Sequence, residues 1–199
     1  HLSSLRVIPN LNVFRPCDAI ETAECWELSL LADKKPSVIA LSRQNLPLLR
    51  KKSSNMENNF SKTGAYVLIN ENHPDFTIIA SGSEVNLAVQ AHEELKDENI
   101  NVRVVSMPSM ELFDAQNPEY KEDILNKTRN LFLEAGSTQS WNKWMKKNDI
   151  LIGIDNFGVS GPGKEVFSHF KISVNRIKND IITSLKMKKI DLLKENDSG

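Results

Sequence analysis

The chain has 199 residues, 40% of them hydrophobic and 26% charged, with 25 basic residues against 26 acidic ones. That length holds one large domain, or one domain and part of another. The near-neutral balance supplies no basic face for nucleic acid, and no apolar stretch approaches the roughly 20 residues needed to cross a bilayer.

The N-terminus HLSSLRVIPN lacks the apolar core of a signal peptide. The chain begins at His1 rather than at a methionine and enters directly on a helical pattern, as a piece of a longer protein would. Residues 2–7 read as the tail of a helix, and LNVF (11–14) as a short strand. Asp18 and Glu21 have the spacing of a capping box ahead of a helix running to about Ala32, with Ile20, Ala23, Leu30 and Leu31 expected on its buried face. SVIAL (37–41) is apolar enough for a parallel strand covered on both faces. Two strands joined by a helix imply a right-handed βαβ unit. The polar, aperiodic stretch 50–65 is the best linker in the chain.

A second alternation follows. Strands are predicted at 66–70, 76–81, 102–107, 130–135 and 150–155. Helices are predicted from Glu84 to about Asp97, around 110–115, 119–126, 139–145 and 164–170, and from Val174 to about Leu193. The fold class is α/β: a partial βαβ unit followed by a mostly parallel, about five-stranded α/β domain.

Chemistry-bearing candidates are few. Cys17 and Cys25 have no CxxC spacing, and with His1, His73, His92 and His169 they form no zinc pattern; buried reduced thiols of a cytosolic protein are the reading. SGSEVNLA (81–88) can turn on Gly82 into a helix capped by Ser81 and Glu84, or cradle a phosphate on backbone N–H groups. Glu84 opposes the second option, and the fingerprint G-x-G-x-x-G is missing. GVSGPGKE (158–165) satisfies G-x-x-x-x-G-K, but Glu165 stands where a P-loop needs Ser or Thr for Mg²⁺. Trp26, Trp141, Trp144 and Phe157 are expected to pack, with Trp141 and Trp144 on one face. Lys143, Lys146, Lys147 and the KMKK run (186–189) are expected on the wet surface. Arg43, one step beyond the strand of ALSRQNLPLLR (40–50), can bind a phosphate with its planar fork or form a structural ion pair.

Four stretches together resemble transketolase. They are LRVIPNLNVFRPCDAIETAECW (5–26), PSVIALSRQNLP (36–47), ASGSEVNLAVQAHEEL with VRVVSMPSMELFDAQ (80–115), and DILIGIDNFGVSGPGKEVFSHF (149–170). SRQNLP and SMPSMELFDAQ point to transketolase proper rather than to 1-deoxyxylulose-5-phosphate synthase, which shares the fold. The resemblance divides the chain into the end of a pyrimidine-binding domain (1–50), a linker (51–64) and a C-terminal domain (65–199). It implies transfer of a two-carbon ketol unit between sugar phosphates, in the pentose phosphate pathway, by a cytoplasmic homodimer. That enzyme would use thiamine diphosphate and a divalent metal, Mg or Ca. It also implies that the diphosphate and metal motif and the catalytic residues lie upstream of His1. This chain alone would then be inactive and bind no cofactor, and none of its histidines matches a catalytic position. One site residue carries over: Arg43, the arginine of SRQ, for the substrate phosphate. A non-catalytic module of the same fold, and a small nucleotide-binding domain using 158–164, are the other readings.

Overall fold

The structure is a computed structural model that describes residues 1–50, 58–125 and 127–196, with side chains to residue 188. A short helix α1 (Leu2–Arg6) leads into strand β1 (Asn12–Phe14), helix α2 (Ala19–Leu31) and strand β2 (Ser37–Ile39). The strands pair in parallel, Asn12 with Ser37, Val13 with Val38 and Phe14 with Ile39, so the expected βαβ unit is present. Asp18 caps α2, its Oδ1 accepting from the Glu21 N–H at 2.8 Å. The Glu21 carboxylate reaches back to the Cys17 N–H at 2.7 Å, one residue beyond the N-cap N–H that a standard capping box uses.

Two expectations for this unit fail. The buried residues of α2 are Glu21 and Cys25, while Ala23 is exposed and Leu30 and Leu31 are 77% and 73% exposed. The helix lays its Glu21–Cys25 ridge, one turn apart, on the domain that follows, because that domain offers hydroxyl donors to Glu21. Strand β2 is likewise only half-buried rather than covered on both faces.

Of the predicted linker, residues 51–57 lie outside the described residues. The remainder is ordered: a 3-10 helix at Phe60–Thr63 buries Ser61 against α2. Its aperiodic sequence concealed a short element held by side-chain bonds to Glu24. Gly64 closes it at φ +78°, and its carbonyl accepts from the Ser109 N–H at 3.0 Å.

The second unit is a five-stranded sheet. In chain order its strands are β3 (Tyr66–Ile69), β4 (Phe76–Ala80), β5 (Val102–Ser106), β6 (Arg129–Leu133) and β7 (Ile150–Ile152). Their spatial order is β3-β5-β4-β6-β7, with only β3 antiparallel. Alternate residues feed two apolar layers. Ile78, Val104 and Leu131 pack under helices α3 (Glu84–Asp97) and α7 (Val174–Asn196), through Val85, Leu95, Ile177 and Ile181. Ile79, Val105 and Phe132 pack under α4 (Met110–Asp114), α5 (Pro118–Leu125) and a 3-10 helix at Thr138–Trp144, through Phe113, Ile124 and Trp141. One further helix, α6 (Gly163–His169), precedes α7. Among the described residues no helix is long and apolar enough to cross a membrane.

Gly64 is a steric pivot between the two units. A Cβ there would overlap the Phe113 N and the Ser109 O of α4's first turn and lie 2.7 Å from Leu112 C, all of it backbone that cannot swing aside. Gly64→Ala is therefore expected to cost about 2–4 kcal/mol, from the left-handed φ and the overpacking together. Urea unfolding should show a lower midpoint with an unchanged slope.

Candidate functional site

In the parallel part of the sheet the chain runs from β4 to β5 on one side and then back across β4 to β6 on the other. The crevice beyond the C-terminal ends of β4 and β6 is thus a topological switch point, the place where open α/β sheets take ligands. Here it holds the side chain of Arg15, the residue directly after β1. The Arg15 guanidinium donates to Ser81 O at 2.8 Å, to Ser81 Oγ at 3.1 Å and to the Glu84 carboxylate. Glu134, just past the end of β6, lies 3.7 Å away. Gly82 makes the approach possible, since a Cβ there would come within 2.8–3.0 Å of the Arg15 side chain.

Glu134 is the second node. Arg6 of α1 grips it with both terminal nitrogens, at 2.9 and 2.8 Å. Ser81 Oγ donates to it at 2.7 Å and Trp141 Nε1 at 3.1 Å. Glu84 also accepts from the Ala135 N–H at 2.9 Å and from Ser83 Oγ at 2.5 Å. Two arginines and two glutamates, nearly all out of water, therefore cancel in charge. Burial alone would push the Glu134 carboxyl up, but the Arg6 bond and the charges of Arg6 and Arg15 outweigh it and hold it below its ordinary value. Glu21 behaves in the opposite sense. Burial raises its pKa despite bonds from Ser106 Oγ at 2.5 Å and Tyr66 OH at 2.8 Å, and among the described residues no ion pair reaches it.

Ser81 and Glu84 are thus part of an internal ion cluster, not a capping box. The N-cap position of α3 is Ser83, whose side chain makes no capping bond. None of Arg6, Arg15, Glu21 and Glu134 stood out as a site residue in the sequence. Arg15 follows β1 as Arg43 follows β2, and Glu134 is a carboxylate at the end of a buried strand. Both signals were available.

Arg43 lies on the loop after β2 and is exposed, and among the described residues no hydrogen bond or ion pair holds its guanidinium. The loop around it is tied down. The Ala40 N–H donates to Phe14 O at 2.8 Å, the Leu49 N–H to Asp18 Oδ2 at 3.1 Å and Arg50 to Glu24 at 2.7 Å. Between these anchors Ser42 Oγ accepts from the Gln44 N–H and donates to Gln44 Oε1, both at 3.1 Å.

The other candidates resolve as structure. Strand β7 stops at Ile152 and α6 starts at Gly163, so 158–162 is an exposed, irregular segment rather than a tight phosphate cradle, with Lys164 and Glu165 in the helix's first turn. Trp141 is buried and Trp144 packs on it with ring centroids 6.0 Å apart. Trp26 and Phe157 depart from the packing expectation, at 52% and 98% exposed. Cys17 and Cys25 are buried free thiols; burial, first of all, raises the pKa of both. His92 is pinned by Nδ1 to Val102 O at 2.7 Å. Among the described residues no group of three or more His, Cys, Asp or Glu is arranged to hold a metal ion. The donor set present here therefore does not fit a divalent-metal diphosphate site, and no residue of this chain is assigned to one.

Comparison with known proteins agrees with this geometry. Residues 64–173 match the model of the transketolase-like C-terminal domain, and residues 1–48 match that of the transketolase pyrimidine-binding domain. A transketolase of Sinorhizobium medicae is 43% identical over 188 residues, covering 94% of this chain and 27% of that protein. The structure of Pichia stipitis transketolase in complex with sedoheptulose-7-phosphate superposes with a TM-score of 0.84 at 33% identity, covering 94% of this chain and 27% of that one. Campylobacter jejuni transketolase gives 0.81 at 37% identity, covering 92% and 27%. The chain spans about a quarter of the length of the curated relatives it matches.

The ion cluster has a pH signature. Because the folded-state pKa of Glu134 lies below the ordinary 4.5, its stabilising contribution is complete above that value and is lost as pH falls through the folded pKa. Glu134→Gln should cost about 3–5 kcal/mol near neutral pH by leaving Arg6 and Arg15 under-paired. It should also flatten the acid limb of a stability–pH curve. Urea unfolding at intervals from pH 7 down to about pH 3 measures both.

Proposed function

Because the chain belongs to the transketolase family, we propose that it is the C-terminal part of an enzyme that moves a two-carbon ketol unit from a ketose phosphate to an aldose phosphate. Thiamine diphosphate with a divalent metal supplies the carbanion chemistry in such an enzyme, and no step at that centre is assigned to residues 1–199. This chain by itself is then inactive. Its contribution is remote: it holds the phosphate end of the sugar so that the carbonyl end sits where it reacts. The relatives named transketolase favour this reading over a 1-deoxyxylulose-5-phosphate synthase or a non-catalytic module. Sugar-phosphate substrates are supported by Pichia stipitis transketolase, solved with fructose-6-phosphate, sedoheptulose-7-phosphate and xylulose-5-phosphate. The pentose phosphate pathway is the setting proposed for such substrates.

The observation that carries the site is the exposed guanidinium of Arg43, without a protein partner among the described residues, past the C-terminal end of a parallel strand. A cation satisfied by a structural ion pair would have no charge to offer. Arg43 keeps its charge and its donor fork for a phosphate. The homodimer is proposed as the assembly; the exposed Trp26, Leu30 and Leu31 of α2 support contact with further protein surface. A cytoplasmic location is supported by the two buried free thiols.

In the full-length enzyme Arg43→Ala should raise KM for fructose-6-phosphate about ten- to a hundredfold, the worth of a charge-assisted hydrogen bond. KM for unphosphorylated fructose should move less than about twofold. An equal loss on both donors would make Arg43 structural. Separately, isothermal titration of thiamine diphosphate and Mg²⁺ into residues 1–199 should show no binding; micromolar affinity would sink the assignment of the cofactor site to other parts of the enzyme.

A further inference from the structure

The loop carrying Arg43 meets the C-terminal domain beside that arginine. Gln44, Asn45 and Leu46 form one wall of a cleft whose other walls include Asn86 and Leu87 of α3 and Gly163 of α6. The Gln44 side chain lies directly over the Gly163 Cα. A Cβ at 163 would overlap Gln44 Nε2 and sit 2.9 Å from its Cδ and 3.2 Å from its Cγ. The same carboxamide reaches back, its Oε1 accepting from Ser42 Oγ at 3.1 Å, while that hydroxyl accepts from the Gln44 N–H. Arg43 sits between the two residues so joined. Beside Arg43 the loop is therefore braced by the exposed Gln44 side chain, which rests on the first residue of α6.

We propose that Gln44 is a positioning residue for substrate phosphate, and that the C-terminal domain sets the aim of Arg43 through the bare Gly163 on which Gln44 rests. This inference rests on the assignment of Arg43 to the phosphate. Gln44 itself needs no contact with the sugar. Its carboxamide closes the Ser42–Gln44 turn, and that turn limits the directions open to the Arg43 guanidinium before substrate arrives. Such pre-organisation lowers the entropic cost of binding and acts on the phosphate end alone.

The test uses the full-length enzyme and compares fructose-6-phosphate with fructose as donors. Gln44→Ala should raise KM for the phosphorylated donor about three- to tenfold, with kcat nearly unchanged and KM for fructose shifted less than about twofold. In an Arg43→Ala background the same change should add nothing, since Gln44 acts through Arg43. Gly163→Leu should reproduce the Gln44→Ala phenotype alone and add nothing on top of Gln44→Ala, because the side chain it displaces is already gone. Additive effects of Gln44→Ala and Arg43→Ala, or an equal KM change for both donors, overturn the proposal. If Arg43→Ala discriminates between donors and Gln44→Ala does not, only the positioning role fails. If Arg43→Ala does not discriminate, the phosphate assignment beneath it fails.

Discussion

The rest of the structure depends on the charge of Arg15, buried in the switch-point crevice of a neighbouring sheet. A guanidinium out of water is tolerable only with carboxylates beside it, and Glu84 and Glu134 supply them from the far side of the interface. Each glutamate is in turn saturated by donors of its own domain, Ser83 and the Ala135 N–H for one, Ser81 and Trp141 for the other. The geometry is over-determined: moving the first unit against the second would leave several buried charges unpaired at once. Apolar contacts slide at small cost, whereas a bidentate Arg6–Glu134 pair admits little lateral freedom. The interface trades raw stability for a defined orientation.

That orientation matters because of what flanks it. Glu21 crosses from α2 to the ends of β3 and β5, and Glu111 from α4 accepts from the Val13 N–H at 3.1 Å. The middle of β1 and the start of α2 are thereby referenced to the second unit. Among the described residues strand β2 pairs only with β1, and it inherits its position from it. The loop after β2 thus hangs from a frame whose coordinates are set in the C-terminal domain, whose switch-point crevice is taken up by the Arg15 side chain.

Much of the fold was legible in the residues because the second sheet follows simple rules. Continuous apolar runs such as FTIIA mark strands covered on both faces, and the periodic stretch from Glu84 to Asp97 is the helix found there. The antiparallel placement of β3 was not visible, since strand direction is set by pairing rather than by composition. The reading of α2 failed for an instructive reason: Leu30 and Leu31 outscore Glu21 and Cys25 on any hydrophobic scale, yet the surface facing this helix presents hydroxyls. Local patterning assumes an oily partner. Where two units meet through charges, as at Arg6, Arg15 and Glu134, the buried side is the polar one, and only the tertiary arrangement reveals it. Arg43 became legible through SRQNLP, a resemblance, while its local pattern left an ion pair equally open.

Arg15 directly follows β1 and Arg43 lies on the loop four residues past the end of β2, and the two arginines have opposite fates. The difference is the counter-charge. Two unit charges about 4 Å apart attract by about 4 kcal/mol at an effective dielectric of 20, and Arg15 has two carboxylates within that range. Any anion approaching Arg15 meets the field of a neutral cluster and a crevice already occupied. Arg43 has no such partner among the described residues and keeps its whole field for the solvent side. The contrast comes from the glutamates on the opposing sheet: Glu84 and Glu134 claim Arg15 at the switch point, and that same claim fixes the frame from which the loop of Arg43 projects.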